Sequence, residues 1–281
     1  MSERPTVAVV SATAHSGRRL LPRLCELGYR TVALVRRPAD LPADEVIDDW
    51  MESPRARAAL EAADFIVPLA GDLRARGRAG YEAVHVRTTQ IVADALRRGR
   101  ARRAVYLSYV GAGEGSPNLY NRTKAIAERL LRESGKETVV FRCPAILGGP
   151  ADPGPLEQAF FARGGRATML GDGRQRQRPL YRGDAVEAIV AALRGGAPGV
   201  YELVGPEEMT ADELARLVNR GAPVRITHVP AWAARLLGHL HPALSPAMVD
   251  VMLADATGDP TRAVAEFGLK LTPLSRVWKP E

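Results

Sequence analysis

Short, wholly apolar runs alternate with stretches of helical period along this chain, and that alternation fixes the fold class before anything else is read. Thr6-Val-Ala-Val-Val10, Thr31-Val-Ala-Leu-Val35, Ala104-Val-Tyr-Leu107 and Thr138-Val-Val-Phe-Arg142 are too short for buried helices and lack the polar alternation of half-exposed strands. They read as strands covered on both faces, the habit of a parallel sheet. Glu45–Trp50 and Asp64–Gly71 read as two more. Between them, Arg18 to Leu27 places Leu20, Leu21, Leu24 and Leu27 on one helical face and stops at Gly28. Helices are also expected over Ser53–Ala63, with Pro54 near its first position, over Tyr81–Arg98 and from about Tyr120 to Ser134. Strand–helix alternation with short connections predicts an α/β fold built on a doubly wound parallel sheet. Ligands then belong at the carboxyl ends of the strands.

After Pro144 the texture changes. Ile146–Pro155 is loop-rich, and Gly164 to Arg178 is basic and rich in glycine. Asp184 is expected to cap a helix over Ala185–Leu193, and Gly199–Val204 to return to the sheet. Thr210-Ala-Asp-Glu213 has the form of a capping box. Pro230 to Asp255 reads as amphipathic helix, carrying Trp232, Leu236, Leu237, Leu240, Met248, Val251 and Met252, with roles in core packing, a lid, or a membrane-surface or partner contact. The expected division is a core of 1–145 plus 179–204, and a small C-terminal substrate lobe of 146–178 plus 205–281.

Composition narrows the partners. The net charge of +7 would suit nucleic acid, but the arginines are scattered, and the dense group at 97–103 follows a helix whose C-terminal dipole it complements. A small-molecule substrate, and no nucleic acid, is the expectation. Cys25 and Cys143 are far apart and lack metal spacing, so neither a metal site nor a disulfide is expected, which suits a cytoplasmic protein. No signal-peptide core follows Met1, and no apolar run reaches the ~20 residues of a membrane span. A monomer or a homodimer fits equally.

Two sets of residues carry chemistry. The loop Ser11-Ala-Thr-Ala-His-Ser-Gly17 joins a strand to a helix, where a dinucleotide pyrophosphate meets a helix N-terminus. A G-x-x-G-x-x-G pattern would put glycines at 11, 14 and 17; only Gly17 is one. Thr13 and Ser16 offer hydroxyls, and His15 is placed to face a phosphate or a substrate. If Ala14 needs φ > 0, its methyl costs on the order of 1 kcal/mol, about tenfold in affinity. Arg36, ending the second strand with Arg37, suits a ribose 2′-phosphate where an acidic residue would hold a 2′-hydroxyl. Asp49, followed by Trp50, is placed to accept from an adenine amino group. The second set is Ser108, Tyr120 and Lys124. Tyr120 and Lys124 share a helical face after a strand that ends in Ser108. A tyrosine of pKa ≈ 10 working near 7 needs about 4 kcal/mol of differential stabilisation, part of it from Lys124.

These features together resemble an extended or atypical short-chain dehydrogenase/reductase, of the epimerase/dehydratase-like branch that includes the complex I accessory-subunit group. The resemblance runs through Ala33-Leu-Val-Arg36, Leu69-Ala-Gly71, Leu107-Ser108, Tyr120-x-x-x-Lys124, Arg142-x-Pro144 and Tyr201-Glu-Leu-Val-Gly-Pro206. It implies a Rossmann sheet with NADP (or NAD) across the strand ends. Tyr120 would be the acid–base, Lys124 the partner of the cofactor ribose, and Ser108 the partner of the substrate oxygen. Leu69, Ala70 and Gly71 would pass beside the adenine ribose and pyrophosphate, with Pro144 also against the cofactor. His85 stands where such chains often carry an active-site asparagine. The implied activity is an NADP-dependent oxidoreductase acting on a carbonyl or alcohol. A redox-neutral isomerase, lyase or cyclase, or a non-catalytic binding or assembly protein, remains open.

Overall fold

The computed structural model describes residues 4–220, 223–241 and 243–279. Its centre is a seven-stranded parallel sheet. In chain order the strands are β1 (Thr6–Val10), β2 (Arg30–Leu34), β3 (Glu45–Ile47), β4 (Phe65–Pro68), β5 (Arg103–Tyr109) and β6 (Glu137–Cys143), with Gly199–Glu202 as the last. Across the sheet they run Gly199–Glu202, β6, β5, β4, β1, β2, β3. The order reverses between β1 and β4, and a crevice opens at such a reversal. The Rossmann expectation holds.

The apolar runs become strands because both faces are covered. All five residues of β1 are buried. On one face Leu20, Leu21 and Leu24 of α1 (His15–Glu26) pack with the helix Arg182–Arg194. On the other, α2 (Pro54–Ala62), α4 (Thr88–Arg98) and α5 (Leu119–Arg132) cover Ala8, Val10, Ile66 and Tyr106. Each fully buried Val, Leu or Ile contributes roughly 1.5–3 kcal/mol before chain entropy is set against it.

Several expectations are corrected. β3 stops at Ile47, because Asp49 takes φ 45° and its carbonyl accepts from Glu52 and Ser53 in a turn. The long helix expected from Tyr81 is three pieces: α3 (Gly77–Tyr81), a π-helical turn (Glu82–Arg87) and α4. Asp184 is not a cap. The cap of Arg182–Arg194 is Tyr181, and the Asp184 carboxylate accepts from the Thr272 backbone N–H and hydroxyl. Of the dense arginine group, Arg97 and Arg98 lie in the last turn of α4 as expected, while those after it serve other elements. Arg100 donates to Ala62 O at the end of α2 (2.6 Å), and Arg103 reaches Ala192 O (2.6 Å) and Gly196 O (2.8 Å) around the end of Arg182–Arg194. The capping box at Thr210 and Glu213 is present.

The glycine-rich segment 164–178 hides a strand, Arg166–Leu170, paired in parallel with Arg225–Val229. Pro230–Asp255 divides into two helices, Ala231–Leu240 and Pro246–Leu253, and Pro242 between them lies outside the described residues. Among the described residues no helix is long and apolar enough to cross a membrane.

Candidate functional site

The β1–α1 loop turns tightly, with Ala14 N–H donating to Ser11 O (2.9 Å). Ser11 takes φ 58°, whereas Ala14 sits at φ −57°, ψ 150°. The strain expected at Ala14 therefore falls on Ser11, and Ala14 itself needs no positive φ. A Cβ on Gly17 would lie 2.4 Å from Ala12 O, so this position excludes any side chain and lets the helix approach the loop. Ala14 caps α1 without a side-chain hydrogen bond, leaving the first-turn N–H groups available to an anion. Thr13 and His15 are exposed beside it, Ser16 partly so.

One strand over, Arg36 and Arg37 are both exposed at the end of β2. The carboxylates of Asp44 and Glu45 are occupied by Arg4, Arg30 and Arg55. Asp49 is exposed in its turn, while Trp50 is buried with Ile47 and Leu60, so its indole belongs to the core. After β4, Leu69 is half-buried, Ala70 buried and Gly71 exposed; Pro144, after β6, is buried. An uncapped helix start, a glycine that permits close approach and two exposed guanidiniums lie along one edge of a parallel sheet. That donor set fits a phosphorylated dinucleotide.

The second set is built on α5. Asn118 caps it, accepting from the Tyr120 N–H (3.0 Å) and the Asn121 N–H (3.3 Å). Tyr120, Lys124 and Glu128 then follow at intervals of four on one face. The Tyr120 ring stands edge-on among Tyr109 (5.4 Å between centroids), His85 (5.3 Å) and Tyr81 (6.3 Å). Lys124 Nζ donates to Leu107 O (2.7 Å) and sits 4.2 Å from the Tyr106 ring centroid. Glu128, 1% exposed, accepts from Ser108 Oγ (2.5 Å) and from Arg142 Nη2 (2.7 Å). Ser108 and Arg142 are register partners on β5 and β6, which is why one carboxylate serves both. Tyr120 and Lys124 thus share a face as expected, and the Ser108 proton goes to Glu128.

His85 occupies the π-helical turn and is fully buried. Its Nε2 accepts from the Asp72 N–H (3.3 Å), so the ring proton is assigned to Nδ1, which donates to Thr123 Oγ1 (2.8 Å). The Thr123 hydroxyl donates onward to Leu119 O (2.7 Å). Burial, aided by Lys124, pulls the imidazole down to about 3, so it is neutral. Burial also draws Lys124 down to about 7 against the pull of Glu128, and pushes the Tyr120 phenol up, with Tyr109 and Tyr81 adding to the effect. The expected lowering of Tyr120 toward 7 is not what this arrangement produces: desolvation by burial dominates, and the neighbouring groups add to it.

Glu128, Tyr109 and Thr123 were not singled out from sequence. The signal was there for Glu128, eight residues after Tyr120 and four after Lys124 on the face already chosen.

A family model described as NAD(P)H-binding matches residues 11–164. A ceramide reductase of Caulobacter vibrioides is 30% identical over 277 residues, 95% of this chain and 82% of that protein. NADH dehydrogenase [ubiquinone] 1 alpha subcomplex subunit 9, mitochondrial, of Arabidopsis thaliana is 28% identical over 227 residues, 75% of this chain; the match spans 56% of that protein's length. Among solved structures, MoeE5 in complex with UDP-glucuronic acid and NAD superposes with a TM-score of 0.78 at 20% identity, covering 97% of this chain and 96% of that one.

Proposed function

The chain belongs to the NAD(P)H-binding family, in its extended short-chain dehydrogenase/reductase and epimerase-like branch, and from that premise we propose that it is an NADP-dependent reductase of an apolar carbonyl compound, with Tyr120 as the proton donor. One observation carries this reading: the uncapped start of α1, the exposed Arg36 and the Tyr120–Lys124 face all belong to the carboxyl edge of one parallel sheet. The name of the Caulobacter relative favours a lipid carbonyl among apolar substrates.

In this reading the N–H groups at 15–17 and the hydroxyls of Thr13 and Ser16 hold the pyrophosphate, with Ser11 and His15 beside it. Arg36 takes the 2′-phosphate. Asp49, Leu69, Ala70 and Gly71 border the adenine ribose, and Trp50 supports that wall from the core. Pro144 borders the nicotinamide end. The bound cofactor supplies a hydride. Tyr120, kept protonated by burial, gives its phenolic proton to the oxygen that the hydride leaves negative. Lys124, fixed on Leu107 O, lies four residues along the same face and positions the cofactor ribose. Ser108 reaches the substrate oxygen only by rotating off Glu128. The aromatic wall of Tyr81, Tyr109 and His85 excludes water from the reacting carbon. Residues 146–178 and 205–279 supply the substrate lobe.

Titration with NADPH and NADH, followed by a panel of long-chain ketones, tests this. Expected are tighter NADPH binding, loss of that preference in Arg36→Glu, and carbonyl-dependent NADPH oxidation. Absence of binding to either nucleotide overturns the reading. Substrate conversion without net NADPH consumption replaces it with a redox-neutral one.

A further inference from the structure

The helix Ala231–Leu240 is turned inside out. Its small residues Ala234 and Gly238 face the protein, and a Cβ on Gly238 would meet Pro246 and Val249 at 3.1–3.3 Å. At roughly 100° per residue, Leu236 lies diametrically opposite that pair. Around it Trp232 is 72% exposed, Leu236 53%, Leu237 38% and Leu240 71%. A helix on a water-facing surface carries the reverse pattern.

The surroundings say what covers it. The loop after β4 carries Arg74 and Arg76, and α3, which follows it, carries Arg78; Arg76 donates to His239 O (3.2 Å) and His241 O (3.1 Å), pinning this loop to the end of the helix. Arg235 lies on the helix itself. The acids nearby are Asp72, which accepts from the Arg74 N–H, Glu82, 3.9 Å from Arg78, and Asp250, 3.2 Å from Arg235. Four arginines thus stand against three carboxylates, an excess of one positive charge, within a chain of net charge +7. Two copies meeting symmetrically through this face would bring their arginines together, which disfavours self-association. An anionic bilayer surface satisfies both features: the leucines and Trp232 enter the headgroup–acyl boundary, and the arginines meet the lipid phosphates. The inner side of the helix packs toward the Tyr120 cluster. Beyond it, Ser245 Oγ lies 2.8 Å from the Tyr81 phenol, Asn118 donates to Ala247 O (3.0 Å), and Tyr81 stands against Tyr120.

We propose that the helix Ala231–Leu240 and the Arg74–Arg78 segment form a docking surface for anionic membranes, which presents a lipid substrate to the Tyr120 cluster. The substrate part rests on the reductase reading; the docking does not. The test is sedimentation of the full chain with vesicles of phosphatidylglycerol and phosphatidylcholine, and with phosphatidylcholine alone. Expected are binding to the anionic vesicles, weakened by salt, and a blue shift in tryptophan emission that Trp232→Phe removes, since Trp50 and Trp278 are buried. Leu236→Glu with Leu240→Glu should reduce partitioning about a hundredfold while nucleotide binding is retained. Tyr120→Phe should partition as the parent does, so docking and catalysis fail separately. Equal binding to both vesicle types, undiminished binding by the double variant, or a concentration-dependent dimer that the double variant dissociates would each overturn the proposal.

Discussion

Two helices of this molecule place residues against their usual habit, in opposite directions. On α5, Tyr120, Lys124 and Glu128 form a polar stripe turned inward. On Ala231–Leu240, the same spacing of Trp232, Leu236 and Leu240 forms an apolar stripe turned to water. Burying an amine and a carboxylate costs several kcal/mol unless partners are found, and α5 finds them in Leu107 O, Ser108 and Arg142. Exposing four large apolar side chains forgoes their burial energy, which the proposed membrane contact would recover. The first stripe is resolved within the fold, and the docking proposal assigns the second to a membrane surface.

The comparison can be broken at its strongest point by Tyr120→Phe. Under the proposed chemistry this should lower kcat by about 10²–10⁴-fold with the nucleotide Kd unchanged, measured by steady-state NADPH oxidation and titration. Next in size is Glu128→Ala, which leaves the Ser108 hydroxyl and the Arg142 guanidinium without their carboxylate. A loss of about 3 kcal/mol is expected in urea unfolding; no loss would mean that the buried stripe is not held as described. The titrating members of the cluster come third. His85 is protonated in the unfolded chain below pH 6.5 but neutral in the fold down to about 3, so stability should fall as pH drops through that window, and His85→Asn should flatten the slope. Lys124 is protonated in the unfolded chain up to about 10.5 but only below about 7 in the fold. Stability should therefore rise with pH between those values, and Lys124→Met should abolish that rise. Smallest is the exposed stripe itself: Leu236→Glu with Leu240→Glu should change the unfolding free energy by less than about 0.5 kcal/mol. A large loss there would mean that the leucines serve the fold.

Much of this was open to reading from the chain. β1, β2, β5 and β6 fall within a residue or two of their apolar runs, because strands covered on both faces permit little else. Pro54 and the Thr210–Glu213 box start their helices as their chemistry dictates. What escaped depends on contacts distant in sequence. Asp184 looks like a cap until Thr272 arrives, and the Arg166–Leu170 strand carries only a short alternation, Ala167 and Met169, inside a glycine-rich stretch, with its pairing partner at residues 225–229. The cofactor loop was legible in position but not in strain. A G-x-x-G-x-x-G template directs attention to Ala14, whereas the backbone turns through Ser11. Tyr120 and Lys124 were placed correctly on one face, but the direction of their titration depends on how deeply the sheet and its neighbours cover them, which periodicity does not convey.

The π-helical turn at Glu82–Arg87 also works as a phase shifter. One additional residue in a turn rotates everything that follows by roughly 100° relative to what precedes it. Tyr81 and His85 can thereby address the Tyr120 ring while Val92 and Leu96, further along the same rod, address the sheet. Were the turn regular, one of these two demands would be met by solvent-facing positions. The extra residue is the device by which one continuous helical rod serves the site at one end and the core at the other.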